Sequence, residues 1–94
     1  MDYDEVSGIL KVLGHPIRLR MVRNLMRDEC NVSRMVQRLG IPQSTVSQHL
    51  RILRDRGILR PRRDGTRTCY VVADERVRRI VELLERGTES ANEH

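Results

Sequence analysis

The 94-residue chain has no tryptophan, no phenylalanine and only two tyrosines. Its core must therefore be aliphatic, built from Leu, Ile, Val and Met, and aromatic stacking is excluded as a source of cohesion. No apolar run approaches the ~20 residues of a membrane-spanning helix, so no membrane partner is expected. Asp2, Asp4 and Glu5 stand where a secretory signal would carry basic residues, and the chain reads as cytoplasmic. Two cysteines are too few for a disulfide scaffold, and that compartment keeps thiols reduced by default. Lysine is nearly missing: Lys11 is the only one among 18 basic residues. Arginine, whose planar fork can grip a phosphate through two parallel bonds, carries the cationic load. There is no Gly-rich phosphate loop and no metal triad. Ser47 and His49 lie two apart on a helix, so they do not face each other, and no carboxylate is placed to orient the histidine. Enzymatic activity is not expected.

What is present is a polar helix followed by a basic stripe. Residues 41 to 57 read I-P-Q-S-T-V-S-Q-H-L-R-I-L-R-D-R-G. Pro42 suits a first helical turn, where its missing N–H has no partner to lose. Val46, Leu50 and Leu53 form one apolar stripe. The opposite face shows Gln43, Ser44, Thr45, Ser47, Gln48 and His49, amides and hydroxyls that can bond to base edges and phosphates. Arg51, Arg54 and Arg56 follow, and Gly57 stops the helix. Residues 51 to 67 hold seven arginines against Asp55 and Asp64, which accounts for the whole net charge of +5. That concentration of charge beside a polar helix is the footprint of a nucleic-acid binder. A merely solvated helix would carry more Glu and Lys, and a non-specific DNA-coating module would not need the amide and hydroxyl run.

The periodicity predicts helices over residues 4–13, 17–27, 34–39 and 75–86 besides the one above. A short extended piece is expected at Cys30-Asn31-Val32, with Ser33 as the N-cap of the third helix and Asp74 as that of the last. Ile58 to Arg63, Asp64-Gly65 and Thr66 to Val72 read as a hairpin, with Pro61 confining its first strand to an edge. Gly87 is expected to end the last helix. The fold class is thus mainly α with a small β-hairpin wing: a winged helix-turn-helix of about five helices, acting as a homodimer. Residues 1–94 make a single DNA-binding domain, with the helix-turn-helix at about 33–57 and the wing at about 58–72. A core this small is marginal alone, and dimerisation is a common remedy. Arg62, Arg63 and Arg67 cluster at the hairpin tip as candidate phosphate contacts.

Three segments carry a resemblance. L-x-x-L-G-H-P-I-R-L-R-M-V at 10–22, P-Q-S-T-V-S-Q-H-L-R-I-L-R-D-R-G-I-L at 42–59 and R-R-D-G-T-R-T-C-Y-V-V at 62–72 resemble the ArsR-type family of bacterial winged-helix repressors. The resemblance implies a homodimer that binds a pseudo-palindromic double-stranded DNA operator and releases it to a small effector. It joins the copies by the first and last helices, about 4–13 and 75–86, and the stripes Val6, Ile9, Leu13 and Val77, Ile80, Val81, Leu84 fit that. The family's Cys-x-Cys metal site would fall on Asn31 and Ser33, so it is not present as such. Its last-helix metal site would fall on Asp74, Arg76, Gly87 and Ser90, where a cation and a missing side chain do not suit zinc. His15, His49 and His94 show no ligand spacing. No metal and no cofactor is therefore expected.

Two thiols remain as candidate sensing groups. Cys30 precedes the third helix and Cys69 lies in the second wing strand, and in a winged helix those segments often pair. A dithiol switch answering oxidants or reactive sulfur, a pair of small buried hydrophobes, and a soft metal or metalloid held between thiols all stay open.

Overall fold

Apolar residues recur every third or fourth position in five segments, and each segment becomes a helix with that face turned inward. A computed structural model describes residues 1–30 and 32–92. Asn31 and His94, both weighed above as metal-site positions, lie outside the described residues, as does the Ser90 side chain. The order is α1 (Tyr3–Leu13), α2 (Pro16–Arg27), α3 (Val32–Leu39), α4 (Gln43–Asp55), β1 (Leu59–Asp64), β2 (Arg67–Val72) and α5 (Glu75–Asn92).

Local chemistry sets the helix starts. Asp2 accepts the Glu5 N–H at 3.1 Å, His15 Nδ1 accepts the Ile17 N–H at 3.1 Å, and Asp74 accepts the Arg76 N–H at 2.9 Å. Gly57, at φ +79°, lets the chain leave α4 at once for β1. The two strands pair antiparallel from Leu59 opposite Val72 to Asp64 opposite Arg67. Asp64 is therefore the last paired residue, and the hairpin loop is Gly65-Thr66, with Gly65 at φ +65°. α2 sits at the centre, packed against α1, α3, α4, α5 and β2. Its Met21, Val22 and Leu25 are fully buried, as are Leu53, Ile58 and Val77. No polar side chain is buried among the described residues. The core is the aliphatic one that the absence of Phe and Trp required.

Three expectations are corrected. The extended piece expected at 30–32 is not seen at its described residues: Cys30 belongs to a turn with Glu29, and Val32 opens α3. The Asp28 carboxylate accepts the Cys30 N–H at 3.3 Å, which folds the backbone back on itself instead of extending it. α5 runs through Gly87 to Asn92, because a glycine lowers helix propensity by only about 1 kcal/mol without forcing a stop. The terminal-helix stripes also divide. Ile9, Leu13, Val77 and Val81 are 4–6% exposed or less and belong to the chain's own core. Val6 and Ile80 stay partly exposed and Leu84 exposed, and they are joined outside by Tyr3, Leu10 and Leu83. The reason is helical phase: in α1, Ile9 and Leu13 lie at one edge of the apolar stripe and Tyr3 and Leu10 at the other, roughly a quarter-turn round, with Val6 between them.

Candidate nucleic-acid interface

α4 follows α3 through a three-residue connection, the layout of a helix-turn-helix. Val46, Leu50 and Leu53 pin α4 to the core. Gln43, Ser44, Ser47, Gln48 and Arg51 are left exposed on its outer side, with Thr45 partly so. All the exposed groups on the first two turns are uncharged, and Arg51 pairs only loosely with Asp55, at 3.8 Å. A face of this kind can hydrogen-bond base edges without a long stem holding it off the groove.

His49 does not share that face. It is partly buried, with its ring centroid 4.7 Å from that of His15. Arg18 donates from Nε to the Val12 carbonyl at 2.6 Å and lies 3.3 Å from His49 Nδ1 through Nη1. Burial first, then electrostatic interaction with His15 and Arg18, hold the His49 imidazole below its ordinary pKa. The native state thus favours neutral His49, while the unfolded chain binds a proton at the ordinary value of 6.5. Its contribution to stability is full above that pH and is lost as pH falls through the lowered native value. The melting midpoint of the wild type should therefore drop more between pH 7.5 and pH 5 than that of His49→Gln. Equal drops would remove His49 from the account.

The wing extends the basic surface. Arg63 is exposed and has no partner among the described residues; Arg67 pairs with Asp64 at 3.5 Å. Arg62 is placed differently from expectation. Its Nη2 donates to Glu29 Oε1 at 2.9 Å and reaches Cys30 Sγ at 3.5 Å. It also lies directly across the sheet from Cys69. Nothing in the sequence marks that latch, which closes over a separation of 33 residues.

The thiols meet. Cys30 and Cys69 form a disulfide, with Cα atoms 4.1 Å apart. A backbone bond from the Tyr70 N–H to the Glu29 carbonyl at 2.8 Å lies beside it. Cys69 is wholly buried and Cys30 partly exposed. The Asp64 carboxylate joins the two sulfurs in a group whose ligand atoms lie within 4.8 Å of one another. The bond ties the turn before the helix-turn-helix to the wing. No helix among the described residues is long and apolar enough to cross a membrane.

Comparison with known proteins agrees with this geometry. The family profile described as "Bacterial regulatory protein, arsR family" matches residues 15–60. The biofilm growth-associated repressor of Xylella fastidiosa is 37% identical over 81 residues, covering 86% of this chain and 71% of that protein. The structure of reduced HlyU from Vibrio cholerae superposes with a TM-score of 0.80 at 30% identity, covering 88% of this chain and 87% of HlyU. A homodimeric winged helix-turn-helix DNA-binding domain from Mycobacterium bovis gives 0.76 at 30% identity, covering 92% and 80%. A polar-faced α4 held out from an aliphatic core, a basic hairpin beside it and these matches lead to one conclusion: the chain belongs to the arsR family of bacterial regulatory proteins and is a winged-helix DNA-binding regulator, not an enzyme.

Proposed function

We propose that the chain, folded as one winged-helix domain, is a cytoplasmic homodimeric repressor that binds a pseudo-palindromic operator and is released by thiol oxidation. Gln43, Ser44, Thr45, Ser47 and Gln48 face the major groove, and Arg51, Arg63 and Arg67 face the backbone. A second copy covers Tyr3, Leu10, Leu83 and Leu84. The named repressor and the homodimeric domain among its relatives support this assembly. Gln43→Ala should weaken specific DNA by ~1–3 kcal/mol and random DNA little. Replacing Arg63 should instead weaken both alike and flatten the salt slope by about one unit. Equal losses on both DNAs for Gln43→Ala would end its base-reading role.

The observation that carries the switch is the Cys30–Cys69 bond between the helix-turn-helix and the wing. In the reduced chain, Cys30 is the accessible thiol, and Arg62 stands beside it. A hydroperoxide takes the Cys30 thiolate to a sulfenate and leaves as water or alcohol. The Cys69 thiol then displaces water from the sulfenate and closes the disulfide. Both electrons pass from the two sulfurs to the peroxide bond, and a dithiol reductant returns them. With the bond closed, Arg62 stays on Glu29 and away from phosphate. A tenfold loss of DNA needs only ~1.4 kcal/mol. Peroxide or polysulfide should therefore weaken operator binding, read by fluorescence anisotropy and reversed by dithiothreitol, and Cys30→Ser should abolish the response. If the double Cys→Ser variant loses DNA under the same treatment, the thiols are structural.

A second reading has Asp64 in its favour: the reduced pair and that carboxylate would hold a thiophilic metal. Zinc or arsenite, added without oxidant, should then displace the operator.

A further inference from the structure

The last turns of α2 and the outer side of α3 enclose a cleft of about 260 Å³. Arg23 and Arg27 line it from α2, and Arg34 and Arg38 from α3. Leu25 and Met35 also line it but are almost fully buried, so they offer a ligand almost no surface. None of these side chains belongs to the DNA-reading face or the thiol pair described above.

The charge inside the cleft is unbalanced. Glu85 Oε1 accepts from Arg23 Nε at 2.6 Å and from Arg27 Nη2 at 2.8 Å, so one carboxylate serves two guanidiniums. Asp28 also lines the cleft, its Oδ1 accepting the Cys30 N–H, and with Glu85 it sets two negative charges against four arginines. Arg34 and Arg38 have no ion pair among the described residues. They stand at i and i+4 on one helix, a spacing at which like charges repel. An anion seated between them would relieve that repulsion, and a guanidinium fork matches the oxygens of a phosphoryl group.

We propose that this cleft binds a compact phosphate dianion, a small phosphate monoester or inorganic phosphate, its phosphoryl group held by Arg34 and Arg38. A duplex backbone carries the same phosphoryl chemistry as singly charged diesters on a convex surface. The recess suits a compact dianion better. Such a ligand bridges α2 and α3, the helices flanking the turn that carries Cys30, and gives the regulator an input separate from its thiols.

The test is calorimetric titration of the full chain at constant ionic strength, with phenyl phosphate and inorganic phosphate as probes. Phenyl phosphate and inorganic phosphate should both bind, since the dianionic phosphoryl group carries the contact. Arg34→Gln/Arg38→Gln should weaken both about tenfold or more, the scale of losing charge-assisted hydrogen bonds. The melting midpoint of that variant in chloride should stay near the wild-type value, since both side chains are exposed. The double Cys→Ser variant should bind the probe as the wild type does, whatever becomes of the thiol switch. Undiminished binding by the arginine variant overturns the proposal. So does a wild type that takes up no phenyl phosphate while the variant's operator salt slope falls by about two units, which would assign the arginines to the duplex.

Discussion

Reduction of the Cys30–Cys69 bond is expected to lower the unfolding free energy by about 4 kcal/mol. The cysteines are 39 residues apart in sequence, so the bond closes a long loop in the unfolded chain. Chain-entropy arithmetic for a loop of that length gives roughly this figure. Small domains are stable by only about 5–15 kcal/mol, so the change is a large fraction of the total. Urea denaturation of the oxidised chain with and without dithiothreitol, at one protein concentration, measures it. The denaturant slope should rise on reduction, because the uncrosslinked chain exposes more surface when it unfolds. The double Cys→Ser variant should show neither change. Identical curves for oxidised and reduced wild type would mean that the bond contributes nothing in solution.

Leu83→Glu is expected to turn the proposed dimer into a monomer and remove most operator affinity. Leu83 is 68% exposed in the single chain, so a glutamate there leaves the protomer's core untouched. In the dimer it would meet an apolar partner face, where an unpaired charge costs several kcal/mol. Each 1.4 kcal/mol is a factor of ten in association, so dimer at micromolar concentration should disappear. A monomer also reaches only one half of a two-fold operator. Analytical ultracentrifugation reads the first effect and anisotropy the second. A variant that still sediments as a dimer would place the interface elsewhere. Val81→Asp is a poor substitute: Val81 is 5% exposed within one chain, and the charge would unfold the core instead of separating the subunits.

The helices, the hairpin and the exposed polar face of α4 were legible in the sequence because each is written at short range. The stripe Val46, Leu50, Leu53 gives the phase of α4, and that phase leaves Gln43, Ser44, Ser47 and Gln48 outside. Gly57 and Gly65 mark the ends of α4 and β1 through backbone freedom that no neighbour has to supply. The absence of large aromatics likewise told what the core is made of. The family was legible too, since its resemblance rests on contiguous runs of residues.

Only the tertiary structure decided how those pieces use their side chains. α1 and α5 each carry more apolar residues than one face can hold. Packing against α2 chose Ile9, Leu13, Val77 and Val81 for the core and left Tyr3, Leu10, Leu83 and Leu84 outside. His49 read as a groove residue from its place in α4, yet α1 and α2 supply the imidazole and guanidinium that hold it inward. Arg62 read as a wing-tip phosphate contact and instead closes on Glu29 and Cys30. The two sulfurs meet only because α2 brings its terminal turn against β2. Periodicity is a property of neighbours three or four residues apart. Pairings across 30 or more residues depend on how whole elements dock, and the sequence carries that information only through the core as a whole.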